Sequence, residues 1–407
     1  MQKRSLLPLF LIVFVDLLSF SFILPLIPAI ATGYGLSPFW VGMLLATFPV
    51  GQVIGAPILG RLSDRYGRKP ILFFSVLGSF ISMLMLGFST TIIIIFISRL
   101  TDGLTGANIT IAQSYISDVT TPENRAKGLG IIGAAFGLGF IIGPAFGGLL
   151  SQTALGYALP AFVAASFSLL NLILITFILP ESLDRESRQT MKSSPGTKFT
   201  LKALIGALQR PKVGPLLNSR VLYSIAQGLF QTIFTLYVQN HLNLDARTIG
   251  LVLGYVGVLA VLVQVFAIGR LTQLFSEDRL IKDASWILSL SYVGWALSPN
   301  LISLLIVLIP ISVASTVLNT VLRSSLTKAV SREEIGGILG LSTSLESMTN
   351  IMAPIIGGLL IGSVGNWAPG AFSALISALL FIYILRNITT FKTPIPSTEI
   401  QPDPANG

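Results

Sequence analysis

The chain of 407 residues is 52% hydrophobic and 11% charged, with a mean hydropathy of +0.81. A soluble domain carries about 25% charge, so this composition excludes an ordinary soluble enzyme and implies a polytopic membrane protein. The formal charge of +9 calls for no nucleic-acid partner, because orienting Lys and Arg in short loops on one side of a bilayer produce it. With no cysteine there are no disulfides and no thiolate chemistry, and the single histidine, His241, falls in a predicted external loop.

In chain order, Lys3 and Arg4 precede an apolar run over 6–30, broken by Asp16 and by prolines near its outer end. It is longer than the ~7 to 15 residues of a signal-peptide core and is expected to be an uncleaved first span. Runs over 40–59 and 70–88 each approach the ~20 residues that cross a bilayer as a helix. Between them lies G-R-L-S-D-R-Y-G-R-K-P-I-L, residues 60–72, where Arg61, Arg65, Arg68 and Lys69 face one acid, Asp64. This segment cannot lie in lipid, and its positive excess predicts a cytoplasmic loop.

Apolar runs over 92–116, 128–150 and 157–179 complete six spans. Residues 180–212 are expected to be a cytoplasmic linker, charged at first, with a turn at 193–196. The linker ends in a surface helix in which Leu201, Leu204, Ile205 and Leu208 recur at helical spacing among Lys198, Lys202 and Arg210. Six further runs follow, over 215–238, 249–268, 281–297, 301–322, 335–361 and 368–385, before a polar, proline-rich tail. Expected units are therefore a six-helix bundle over 1–179, the linker, a second bundle over 213–386 and a tail over 387–407. Lys and Arg gather in the amino terminus, the loops after even-numbered spans and the tail, with only Arg247 in the opposite loops, so both termini are expected in the cytoplasm.

The second half repeats the first. Gly269-Arg270-Leu271-Thr272 stands 209 residues after Gly60-Arg61-Leu62-Ser63, and the P-x-x-G-G-L-L segment from Pro354 stands 210 residues after the one from Pro144. The repeat fails where charge matters, since Asp64 corresponds to Gln273 and Arg68-Lys69 to Glu277-Asp278.

The loop pattern G-x-L-x-D-x-x-G-R-[KR], met here from Gly60 through Asp64, Gly67, Arg68 and Lys69, resembles the hallmark loop of the major facilitator superfamily. The resemblance implies an all-α membrane fold of 12 helices in two pseudo-symmetric six-helix bundles, with substrate held midway across the bilayer while the halves rock around it. It also implies that Asp64 docks near the start of the eleventh span when the site faces outward. At that helix start Gly336 and Gly337 allow close approach, and Asp118, at the end of the fourth span, is placed to pair with Arg65 or Arg68. In the fifth span Gly139, Gly143 and Gly147 lie four apart on one face, and Pro144 bends the helix. With Gly148 they resemble the G-x-x-x-G-P-x-x-G-G signature of the superfamily's antiporters, including drug/proton and tetracycline/proton exporters.

Leaving aside Lys282 and Asp283 in the first turn of the run over 281–297, five ionisable residues fall in the interiors of spans, Asp16, Arg99, Asp102, Arg220 and Glu346, and each must face protein or a watery cavity. Arg99 and Asp102 are expected to pair, with Gly106, Thr110 and Gln113 continuing their face as a cavity wall and Asn108 pointing away. Arg220, Ser224, Gln227 and Gln231 form a second polar stripe on the seventh span, and Glu346 and Asn350 a third on the eleventh. Arg99 and Gly103 resemble the fourth-span R-x-x-x-G of proton-coupled facilitators. Asp16 matches the first-span acid of the tetracycline exporters, whose third- and ninth-span acids have no expected counterpart in the interiors of those spans here. Three carboxylates against two permanently charged guanidiniums leave one carboxylate over, and Asp16 or Glu346 is expected to carry the proton.

No G-x-x-x-x-G-K-[ST] loop, H-E-x-x-H or G-x-S-x-G motif and no metal-ligand cluster occurs, so an ATP-driven pump, an enzyme, a cofactor and a metal are not expected. The expectation is a monomeric secondary transporter of the inner membrane. It would be a proton-coupled antiporter that exports small amphipathic, drug-like compounds, with a sugar or metabolite exporter as the alternative and a proton symporter third.

Overall fold

The computed structural model describes residues 6–183, 206, 208–330 and 334–391, and among these the regular structure is helical without a strand. Most of the expected linker, including its surface helix up to 205, and the tail beyond 391 lie outside the described residues. The helical rods of the first half are Leu7–Gly33, Pro38–Tyr66, Arg68–Gly87, Ile92–Val119, Pro122–Leu150 and Ala158–Phe177. Those of the second are Val213–Leu242, Ala246–Leu274, Glu277–Ala296, Leu301–Lys328, Ile335–Ser363 and Ala368–Phe391. They are called spans one to twelve here. Eleven are long and apolar enough to cross a membrane. The ninth, of 20 residues, has the length, but its first two turns carry Glu277, Asp278, Arg279, Lys282 and Asp283. His241 lies in the last turn of the seventh span, its ring stacked on Tyr237, rather than in a loop.

Three spans are interrupted, each for a local reason. The first stops at Ile23 and restarts at Leu26, because Pro25 can neither donate to the helix ladder nor fit beneath the preceding turn. The fourth breaks at Gly106 and Ala107, and its freed backbone groups find side chains. The Ser75 hydroxyl donates to the Thr105 carbonyl and accepts from the Ala107 amide at 3.2 Å, while Gln52 Nε2 donates to the Gly106 carbonyl at 3.1 Å. Irregular backbone at membrane depth requires such partners. The eighth span loosens into a π turn over Val263–Ala267.

The charged stretch between spans two and three is scarcely a loop. Helix runs to Tyr66 and resumes at Arg68, so Gly67 alone makes the turn, at φ 112°, a conformation that a side chain resists. Charged residues at a membrane surface are free to stay helical, which is why both helices extend past their apolar runs.

The halves meet along two seams, span two with span eleven and span five with span eight. Each seam uses the repeat reciprocally: a side chain at Gly42 would overlap the Pro354 carbonyl and one at Gly358 the Pro38 carbonyl, while Gly148 abuts the Ala246 carbonyl and Gly250 that of Pro144. Backbone therefore touches backbone, as small residues allow between membrane helices. All four contacts lie at the end away from the Asp64 loop. The two side-chain hydrogen bonds that join the halves among the described residues, Gln239 to Thr32 at 2.7 Å and Gln152 to Asp245 at 2.5 Å, lie there too. At the loop end, Gly60, Gly130, Gly133, Gly269, Gly337 and Gly340 have nothing within 4 Å of where a Cβ would stand. The molecule is closed at the far end and open at the basic end.

Candidate functional site

In the first half, Asp16 on the first span accepts a hydrogen bond from Asn108 Nδ2 at 2.7 Å, and among the described residues no cation pairs with it. This corrects the helical-wheel placement of Asn108, which treats the fourth span as one unbroken helix. The break at Gly106 rotates the second segment, so Asn108 turns onto Asp16 instead of away. For the same reason the expected stripe is not one face: Arg99 and Asp102 are buried, whereas Thr110 and Gln113 are exposed.

Arg99 Nη1 lies 3.3 Å from Asp102, and Nη2 donates to the Ser82 hydroxyl at 3.1 Å and the Ser98 hydroxyl at 3.4 Å. Ser82 and Ser98 bond each other's carbonyls across spans three and four, so the cation sits in a closed serine cradle. Its Nε has no partner among the described residues, and the side chain lines a small cavity with Phe20, Leu24, Ile27, Leu44, Leu45 and Phe48. Phe48 and Phe140 pack on Phe20 at 5.1 and 6.4 Å, giving this half an aromatic wall one turn from Asp16.

In the second half the pairing is tighter. Arg220 Nη2 lies 2.5 Å from Glu346, its Nε donates to Glu346 at 2.7 Å and to Ser342 at 2.8 Å, and Nη1 and Nη2 reach the carbonyl and side chain of Asn319 at 3.3 and 3.1 Å. Spans seven, ten and eleven are thus tied through one guanidinium that is 3% exposed. Sequence reasoning missed Arg323, because the apolar run of the tenth span ends at 322. The helix continues to Lys328 and brings Arg323 to 3.8 Å from Glu346. Elsewhere on this wall Gln227 accepts from the buried Tyr292 hydroxyl at 2.8 Å, Ser224 is half-buried, and Gln231 and Asn350 are exposed on either side of Gly228.

At the basic end, Arg68 is the hub. It lies 2.5 Å from Asp64 and 3.0 Å from Asp118, with Ser63 at 2.7 Å, while Arg65 lies over the Tyr66 ring instead of against Asp118. Asp64 here keeps to its own half, and at the start of the eleventh span Glu334 holds Arg210 at 2.8 Å. The repeat-related position carries Glu277, which accepts from Ser324, Ser325 and Lys328 at 2.8–2.9 Å. Burial would raise the Glu277 carboxyl, but Lys328 and the two serines outweigh it and hold it below the usual carboxylate range. In the fifth span, Gly139 and Gly147 press on Leu17 and Phe22, and a side chain at Gly143 would overlap Ser21, whose hydroxyl donates to the Gly139 carbonyl at 2.8 Å. That face meets the first span, while Pro144 and Gly148 form the seam with the eighth.

Two repeat-related helical bundles of membrane-crossing length, joined by seams at one end and open at the other, define a membrane transporter rather than an enzyme. The chain belongs to the Major Facilitator Superfamily, whose family model matches residues 9–217 and again 216–405. It is 32% identical to the class H tetracycline resistance protein of Pasteurella multocida, covering 97% of this chain and 99% of the relative. It is 31% identical to solute carrier family 22 member 18 of Rattus norvegicus, over 89% and 88%, and 29% identical to multidrug resistance protein 2 of Bacillus subtilis, over 88% and 89%. Among solved structures, the human organic anion transporter MFSD10 (TETRAN) superposes with a TM-score of 0.70 at 21% identity, covering 94% of this chain and 99% of that one. A bacterial homologue of the human lysosomal transporter Spinster does so with a TM-score of 0.72 at 15% identity, over 95% of both chains. At such identities the structures establish the fold alone.

Proposed function

We propose that the protein is a proton-coupled antiporter that exports small amphipathic compounds by alternating access, acting as a monomer in the inner membrane with its basic end and both termini in the cytoplasm. The observation that carries this reading is the distribution of charge among the in-span acids. Asp102 faces Arg99 and Glu346 faces Arg220, so both are held by a guanidinium that stays protonated. Among the described residues Asp16 has only the amide of Asn108. A carboxylate with no cationic partner, facing a space that opens to one side at a time, is suited to take up a proton on one side and release it on the other.

Asn108 fits that role. Its carboxamide donates to the charged form of Asp16, and its Oδ1, buried without a partner, accepts from the protonated form after a half-turn of the amide. Relatives named for tetracycline and multidrug resistance support export of amphipathic substrates. The basic loops at the open end support a cytoplasmic opening.

The test is flux in vesicles of purified protein under an imposed pH gradient, beside gradient-free exchange of the same compound. Asp16→Asn is expected to abolish the driven mode and keep exchange. Full driven flux in that variant overturns Asp16 as the carrier, and no response of the wild type to the gradient overturns proton coupling.

A further inference from the structure

We propose that the second half holds an anion-binding site centred on Arg323, and that the compounds moved carry a carboxylate, sulfonate or phosphate group beside an apolar body. The proposal deepens the exporter reading above and rests on it for the statement that the ligand is transported. Its starting point is a charge imbalance. Arg220 and Arg323 share a single carboxylate, Glu346, which lies 2.5 Å from the first and 3.8 Å from the second. Both guanidiniums stay charged at any working pH, so the group as a whole carries one positive charge in excess.

That excess resides on Arg323. The donors of Arg220 are taken up by Glu346, Ser342 and Asn319, and the side chain is 3% exposed. Arg323 is 54% exposed, and its approach to Glu346 is longer than a hydrogen bond. The neighbouring cation on the same helix, Lys328, is held by Glu277 at 2.8 Å, so Glu277 is engaged elsewhere. Among the described residues no side chain lies within hydrogen-bond distance of the Arg323 fork, which leaves it open to a planar or tetrahedral oxyanion bound through paired N–H bonds.

The site faces the shared space and not the lipid. Asn319, one turn before Arg323 on the same face of the tenth span, bonds Arg220, which places this face against spans seven and eleven. Arg323 also lies toward the open end of the molecule, where a ligand has access. A cation whose fork is open, together with the amphipathic compounds of the exporter reading, points to an amphipathic anion as the ligand.

The experiment uses the full chain in nanodiscs and two probes of one size and opposite charge, 2-naphthalenesulfonate and 2-naphthyltrimethylammonium, with affinities measured by titration calorimetry. The wild type is expected to bind the sulfonate at least tenfold more tightly. Arg323→Gln is expected to erase that preference, and Arg323→Lys to keep part of it, with thermal midpoints compared to confirm that both variants are folded. Equal affinities in the wild type, no sulfonate binding, or an unchanged preference in Arg323→Gln overturns the proposal and leaves Arg323 as a side chain that reaches toward the membrane surface. Flux of both probes under a pH gradient separates the two readings. Driven flux of the ammonium without sulfonate binding sinks the anion site and leaves the exporter standing, whereas sulfonate binding without driven flux of either probe does the reverse.

Discussion

Arg68 and Glu277 occupy one position of the two repeats, the first helical residue of spans three and nine, 209 residues apart, and they form the same inter-helical ion pair with opposite polarity. Arg68 meets Asp118 near the end of the fourth span at 3.0 Å, and Glu277 meets Lys328 at the end of the tenth at 2.8 Å. Lys328 follows Asp118 by 210 residues. The second-half arrangement suits the helix dipoles, with an acid at a helix start and a base at a helix end; the first-half arrangement opposes them. The first half compensates with Glu181, whose carboxylate accepts from the Arg68 and Lys69 amides at 2.9 and 3.2 Å and so places an anion at that helix start. The fold keeps the bridge and lets its sign vary.

A charge exchange tests this equivalence. Glu277→Arg alone sets two cations together and is expected to cost about 1 kcal/mol, the scale of a part-exposed ion pair with its dipole contribution. Adding Lys328→Asp is expected to recover part of the loss and not all of it, because the restored pair opposes both dipoles and has no counterpart of Glu181. Thermal midpoints of the single and double variants in detergent decide the matter, and a double variant no better than Glu277→Arg would show that the bridge is incidental.

The same pair carries a pH dependence. Since Lys328 and the serines hold the folded Glu277 carboxyl below its ordinary value of 4.5, the stabilisation is present above that value and is lost as pH falls through the lower, folded one. The wild-type thermal midpoint should therefore fall more steeply between pH 5 and pH 3 than that of Glu277→Gln. Parallel profiles would mean that the carboxylate contributes nothing at this end.

Much of this was legible in the residues themselves. The spans are long apolar runs, the hallmark loop is contiguous, and the repeat offset aligns the Pro144 and Pro354 segments that the seams then use. Pairings between distant spans were not legible. Nothing local tells Arg220 to choose Glu346, 126 residues away, over Asp16. Asn108 was misplaced because a two-residue break, satisfied by Ser75 and Gln52 from other spans, resets the helical register. Arg323 was overlooked because apolar runs end before helices do, and a charged turn at a span's end reads as a loop until its neighbours are known.

The far-end seal depends on backbone contact between Gly42 and the Pro354 carbonyl, so a bulky side chain there is expected to hold spans two and eleven apart. The chain has no native cysteine, and Gln239→Cys supplies a reporter where Gln239 bonds Thr32 across the seal. In that background Gly42→Leu should raise the labelling rate by a membrane-impermeant maleimide about fivefold or more, and lower transport with it. An unchanged rate would show that the seam tolerates separation without opening the seal.

The two carboxylates that sequence reasoning left open as proton carriers should part company in a single pair of measurements. Glu346 balances a buried guanidinium, so Glu346→Gln leaves Arg220 charged, 3% exposed and without its counter-ion. Breaking one partner of a buried pair costs about 3 to 5 kcal/mol, and the thermal midpoint should drop accordingly. Adding Arg220→Gln removes the stranded charge and should restore much of the loss. Asp16 balances no cation among the described residues. Its amide replacement keeps the size of the group and a carbonyl to accept from Asn108, so Asp16→Asn should stay within about 0.5 kcal/mol of wild type. Its effect should instead be on coupling, with exchange retained and gradient-driven flux lost. If Glu346→Gln is as stable as wild type, the Arg220 pair is not structural. If Asp16→Asn is the variant that unfolds, Asp16 belongs to the packing of the first half, and the proposed proton carrier is then Glu346.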